Sequence, residues 1–266
     1  MTSCSEKTFH VDCHAHLYPC YDVATWINNA VVHLTGQIAD EDIIPAAIVV
    51  DREGISSKDL LESAAVRGEC RIEATFSDGS CMVSMGDKES SEIRLMVIPG
   101  TQSVSKEGIE VLGIGNSKRP PEKIASADQV EFVLSEGGLP CIPWSPGKWL
   151  GKRGKVVHAL LDIFGPHRLS VGDISIRSQW GPPSPLLTHA KSSGFPCLLG
   201  SDCLPFKGDE AQVGRFGISI KGTPVSPSGV VPWLLDQLRD PSKVAGACGE
   251  RNPPLTALYR FVKSNL

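Results

Sequence analysis

The chain has 266 residues, a mass of 28.5 kDa and a formal charge of −4. This length can bury one large core, and 41% hydrophobic with 21% charged residues is ordinary for a globular protein. The negative balance gives no electrostatic reason to expect a nucleic-acid partner. No run of 18 apolar residues is present, so no membrane span is expected. The nine cysteines are odd in number, show no two-residue spacing, and in Cys13, Cys141 and Cys197 sit inside apolar runs. That pattern points to reduced thiols and a cytoplasmic location. Residues 1–7 lack the basic-then-apolar pattern of a secretory signal.

In chain order, Phe9 to Leu17 reads as a strand that breaks at Pro19. Strand alternation places Asp12, His14 and His16 on one face, opposite Val11, Cys13 and Ala15. Three hydrophilic groups on one side of an apolar strand are costly to bury unpaired, and a divalent cation at the strand end would pair with them. Neutral imidazole suits Zn, Mn and Fe alike. The alternative is two polar side chains hydrogen-bonded to water. Apolar residues at helical spacing predict a helix from Asp22, its cap, to Gly36. Ile43 to Asp51 is a continuous apolar run suited to a strand covered on both faces. Ser56 opens a short helix to about Arg67. The runs 71–76 and 81–85 flank Ser77-Asp78-Gly79-Ser80 and predict an antiparallel hairpin.

Parallel-type strands are expected at Ile93 to Ile98 and Gly108 to Ile114, then a helix from Pro120-Pro121 to Glu136. Leu139 to Pro143 is a further strand, followed by a helix over Lys155 to Phe164. Leu169 to Asp173 and Phe195 to Asp202 are strands that each end in a carboxylate. Pro182 to Ser192 reads as helix, Arg215 to Lys221 as an extended piece, and Pro232 to Arg239 and Pro254 to Ser264 as closing helices. Strands alternating with helices argue for a parallel α/β architecture, and polar residues clustered after strand C-termini argue for a barrel with its site at that face. One domain over 1–266 is expected.

The stretch Asp12-Cys13-His14-Ala15-His16 resembles the first motif of the PHP (polymerase and histidinol phosphatase) metal-dependent phosphoesterases. Val97 to Gln102 with Ile109 to Gly115, Gly137 to Trp144, and Gly200-Ser201-Asp202 resemble later motifs of that family, in the same order. The resemblance implies a distorted seven-stranded (β/α) TIM-like barrel, here with an antiparallel hairpin insertion. It also implies that His14, His16 and Asp202 hold metal. Gln102 stands where the family usually has a bridging Glu, Glu110 where it has a His, and Trp144 and Leu204 in place of two further histidines. The implied site is therefore reduced to about one ion, with Glu110 or Asp173 completing the shell. Asp173 alternatively orients substrate, acts as base, or caps the following turn.

Lys148 could hold a phosphate or carboxylate while Trp144 and Trp149 wall the pocket; alternatively both tryptophans cover the barrel mouth and Lys148 is solvated. Arg215 is a further candidate for an anionic substrate. The sequence expectation is thus a metal-dependent hydrolase, a phosphoesterase acting on a small anionic molecule. The alternative is a degenerate barrel that binds a ligand or partner protein. A C–N hydrolase on the same barrel would want two more strand-end histidines.

Overall fold

The computed structural model describes residues 7–36, 42–85, 93–224, 226 and 229–263. Residues 1–6, most of the stretch read for a signal pattern, and Ser264 lie outside these. In chain order the strands are β1 (Thr8–Ala15), β2 (Ile43–Asp51), β3 (Arg71–Thr75), β4 (Cys81–Met85), β5 (Ile93–Val104), β6 (Glu110–Ile114), β7 (Leu139–Pro143), β8 (Ser170–Ile174), β9 (Cys197–Gly200), β10 (Phe216–Lys221) and β11 (Val244–Gly249). The helices are α1 (Val23–Thr35), α2 (Ser57–Val66), α3 (Ser126–Ser135), α4 (Gly151–Phe164), α5 (Pro185–Ser192), α6 (Val230–Leu238) and α7 (Pro254–Lys263).

The strands form one sheet in the order β11-β10-β1-β2-β5-β6-β7-β8-β9, with the β3–β4 hairpin attached to β5. The sheet curls so that its β9 end meets β1, where the Asp202 N–H donates to the His14 carbonyl at 2.7 Å. The result is a nearly closed, barrel-shaped α/β sheet. Gly200 permits this closure, because an added Cβ there would lie 2.5 Å from the His14 backbone nitrogen. Alternate residues of β2 serve two cores, as its unbroken apolar run requires. Ala46, Ile48 and Val50 face the interior, while Ala47 and Val49 pack under α1 and α2. α6 closes the N-terminal end of the interior, with Trp233 against Phe9 at 4.7 Å between ring centroids.

Local chemistry accounts for most of the elements. Asp22 caps α1 by accepting from the Thr25 N–H at 2.7 Å, and Ser56 caps α2 through the Asp59 N–H at 3.2 Å. The Asp78-Gly79 turn joins β3 to β4, with Gly79 at φ +85° and the Ser80 N–H donating to Asp78 at 3.0 Å. Three expectations need correction. β6 runs antiparallel to both neighbours, β5 and β7, because only the residues between Val104 and Glu110 turn the chain. β10 pairs antiparallel with β1, and β11, which the sequence reading omits, pairs with β10. Among the described residues the sheet therefore has eleven strands rather than seven plus a hairpin.

Among the described residues, eight cysteines are free. Burial pushes the Cys81 and Cys197 thiols up to about 11 and that of Cys248 to about 12. No described helix is long and apolar enough to cross a membrane.

Candidate metal centre

The site begins with an irregularity in β1. Strict alternation would put Asp12 beside His14 and His16, but the β1–β2 register gains one residue between Asp12 and Ala15. Asp12 pairs with Ala47 and Ala15 with Val49, so both face outward, and both His14 and His16 turn to the mouth of the barrel. A bulge that re-aims side chains beside a site is a recurrent use of this feature. Asp12, turned away, is fully buried and accepts from Ser201 N (2.9 Å), Ser201 Oγ (2.5 Å), Gly214 N (2.9 Å) and His14 N (3.1 Å). It ties β1 to the end of β9 and to the approach to β10.

The three expected metal-binding side chains converge. His14 Nε2 lies 3.2 Å from His16 Nε2, and both lie 3.5 Å from Asp202 Oδ1. Bonds of about 2.0–2.1 Å at tetrahedral angles set neighbouring donors about 3.3–3.4 Å apart, so this triangle fits one face of a divalent cation's shell. His16 Nδ1 is 2.9 Å from the Val50 carbonyl, which takes its proton and leaves Nε2 as a bare lone pair. Burial lowers the His16 pKa and favours this neutral form. Burial alone would raise the Asp202 carboxyl, but the imidazoles and Arg260 outweigh it and hold the group below the usual carboxylate range. His14 Nε2 faces the His16 lone pair beside the Asp202 carboxylate, so a proton or a cation must lie between the two imidazoles. The donor set is therefore chemically suited to a metal. Among the described residues it is the one cluster of three such groups.

Asp202 adopts φ +49°, a left-handed conformation that Asp tolerates better than most residues. Its carbonyl accepts from Arg260 Nη2 at 2.8 Å. Arg260 of α7 is fully buried, grips Asp209 with Nε and Nη2 at 2.9 and 2.8 Å, and donates to Ser175 Oγ at 2.8 Å. Asp209 in turn accepts from the Leu204 N–H at 2.6 Å. The loop that presents Asp202 is thus held from both sides.

A pocket of about 260 Å³ opens on the triangle and is lined by His16 and Asp202 together with Gln102, Glu110, Lys148 and Arg52. Gln102 Oε1 is 3.4 Å from His14 Nε2. Glu110 reaches the mouth because β6 is antiparallel, which brings its first residue rather than its last to this end. It lies 2.5 Å from Lys148 Nζ, so these two expected functional groups neutralise one another. The other expected residues lie elsewhere. Asp173 is fully buried and bound by Arg177 at 2.8 and 2.5 Å and by Arg251 at 3.1 Å, as their counter-ion. Trp144 is partly buried against the outer core beneath α4. Arg215 is anchored through its backbone to Gln212 and Glu250 and does not line the pocket. The sequence reading omits Arg52 and Tyr18, whose ring stacks on His16 at 5.2 Å. A signal for Arg52 exists, since it is the polar residue directly after β2.

The sequence matches no family model and no curated protein. Solved structures do resemble the fold. PsfC from Pseudomonas syringae is 12% identical, over 98% of this chain and 96% of that one, with a TM-score of 0.54. A two-domain protein from Bacteroides vulgatus, containing a predicted PHP-like metal-dependent phosphoesterase, is 13% identical over 97% and 70% of the chains, with a TM-score of 0.52. The lesion-specific endonuclease from Pyrococcus furiosus is 12% identical over 84% and 55%, with a TM-score of 0.49. An endonuclease Q is also known in complex with a 27-mer duplex bearing an abasic lesion. The exclusion of nucleic acid drawn above from net charge does not stand. A total of −4 is a sum over the surface and says nothing about the field at one groove. This chain shares its fold with the Bacteroides vulgatus protein that contains the predicted PHP-like phosphoesterase.

Proposed function

We propose that the chain is a metal-dependent hydrolase of phosphoesters, using a divalent cation (Zn, Mn or Fe) held by His14, His16 and Asp202. The observation that carries this reading is the triangle of three donors 3.2–3.5 Å apart at an open pocket. The fold likeness to a PHP-like protein supports it. When bound, such a cation acts as a Lewis acid and lowers the pKa of a water to give a nucleophile near neutral pH. The chain's own residues supply the rest. Val50 fixes the His16 tautomer, and Arg260 fixes the backbone that aims Asp202. We assign Glu110, which lines the pocket, as proton acceptor, and an anionic substrate would compete with it for Lys148.

The test compares metal content and hydrolysis in wild type and His14→Ala, on untagged protein purified without chelators. The substrate panel runs from p-nitrophenyl phosphate and its diester to single-stranded and duplex DNA. About one equivalent of metal is expected in wild type, lost together with activity in the variant. Hydrolysis that persists in His14→Ala would overturn the mechanism. Absence of metal after incubation with each ion would favour the non-catalytic barrel.

A further inference from the structure

Arg52 is distinguished among the cations around the pocket by its partners. Lys148 is paired with Glu110, Arg119 lies near Glu122 and Glu53, and Arg260 is locked on Asp209. The Arg52 guanidinium, among the described residues, bonds to the Tyr18 hydroxyl at 3.4 Å, while Glu110 and Asp202 act on it only through space. Its side chain is exposed at the mouth. It follows the β2 segment whose Val50 carbonyl orients His16, and its partner Tyr18 stacks on the same imidazole.

Arg52 also joins three cavities. It lines the 260 Å³ pocket on the metal triangle and an adjoining pocket of about 620 Å³. It lines a third of about 650 Å³ as well, which carries Ser56 and Arg119. Tyr18, Gln102 and Pro205 are shared by the first two, and Pro19 and Ile55 by the second and third. These shared walls set the three cavities side by side around Arg52. A phosphomonoester would fill only the innermost of them.

We infer that Arg52 is a substrate-binding residue that seats a second anionic group, next to the ester held at the metal triangle. The substrate class is then a phosphoester bearing at least two anionic groups and extending into the adjoining cavities. This rests on the function proposed above. A planar guanidinium with no carboxylate partner among the described residues offers bidentate hydrogen bonds to such a group.

Calorimetry with inorganic phosphate and with methylenebisphosphonate, on metal-loaded wild type, Arg52→Ala and Arg52→Lys, tests it without requiring turnover. Wild type should prefer the bisphosphonate. Arg52→Ala should weaken it by about 10- to 100-fold, the range for losing charge-assisted hydrogen bonds, and weaken phosphate by a smaller factor. Arg52→Lys should restore part of the loss, with metal content equal in all three. No preference in wild type, an equal loss for both ligands, or no loss would overturn the inference. Arg52-dependent binding without any hydrolysis would leave this inference standing and remove the hydrolase. Hydrolysis untouched by Arg52→Ala would do the reverse.

Discussion

Asp12 shows how much a single side chain can organise here without being one of the three candidate metal ligands. It receives four hydrogen bonds, three of them from two segments distant in sequence, and its surroundings exclude water. Burial raises its pKa while those donors oppose the shift. Asp12→Ala would leave buried donors unsatisfied and should destabilise the protein by about 3–5 kcal/mol, read from the urea midpoint. A change below about 1 kcal/mol would show that the clasp is not what closes the sheet. At this scale the sequence was legible for chemistry and not for direction. The types and order of His14, His16 and Asp202 announced their convergence. The extra residue in β1 that separates Asp12 from the imidazoles leaves no mark in the pattern, because a bulge changes geometry rather than composition.

Among the elements, β9 matters most for the site although it spans only Cys197–Gly200. Its approach to β1 depends on the missing side chain of Gly200, and Asp202 lies two residues further on. Gly200→Ala must push the strands apart, since the atoms it meets include backbone of His14. The expected outcome is a loss of metal affinity of at least about tenfold, as for damage to residues that orient ligands, with the helical circular dichroism retained. Unchanged affinity would mean that β9 can shift without moving Asp202. The capped helices and the buried run of β2 were readable because caps and apolar periodicity act locally. The direction of β6 was not, because a run as short as Glu110-Val111-Leu112-Gly113-Ile114 looks alike whichever way the neighbouring strand runs. β11 escaped because Val244-Ala245-Gly246-Ala247-Cys248-Gly249 has almost none of the branched or aromatic residues that favour strands.

For the molecule as a whole, summed quantities were the poorest guide. Total charge excluded a class of partner that it has no power to exclude, whereas the paired and unpaired cations of the mouth distinguish Arg52 from Lys148 and Arg119. The C-terminal helix carries a different kind of long-range information. Arg260 connects α7 to the backbone of Asp202, so docking of the helix and filling of the metal triangle share one set of contacts. Two events that share contacts have a coupling free energy, and it must be felt equally from either end. Metal added at one end of the barrel should therefore slow amide hydrogen exchange in α7, and Arg260→Met should abolish that protection while lowering metal affinity by the same factor. Equal exchange in α7 with and without metal would show the two to be independent. If they are coupled, the last helix of the chain serves as a gauge of whether the cation is in place.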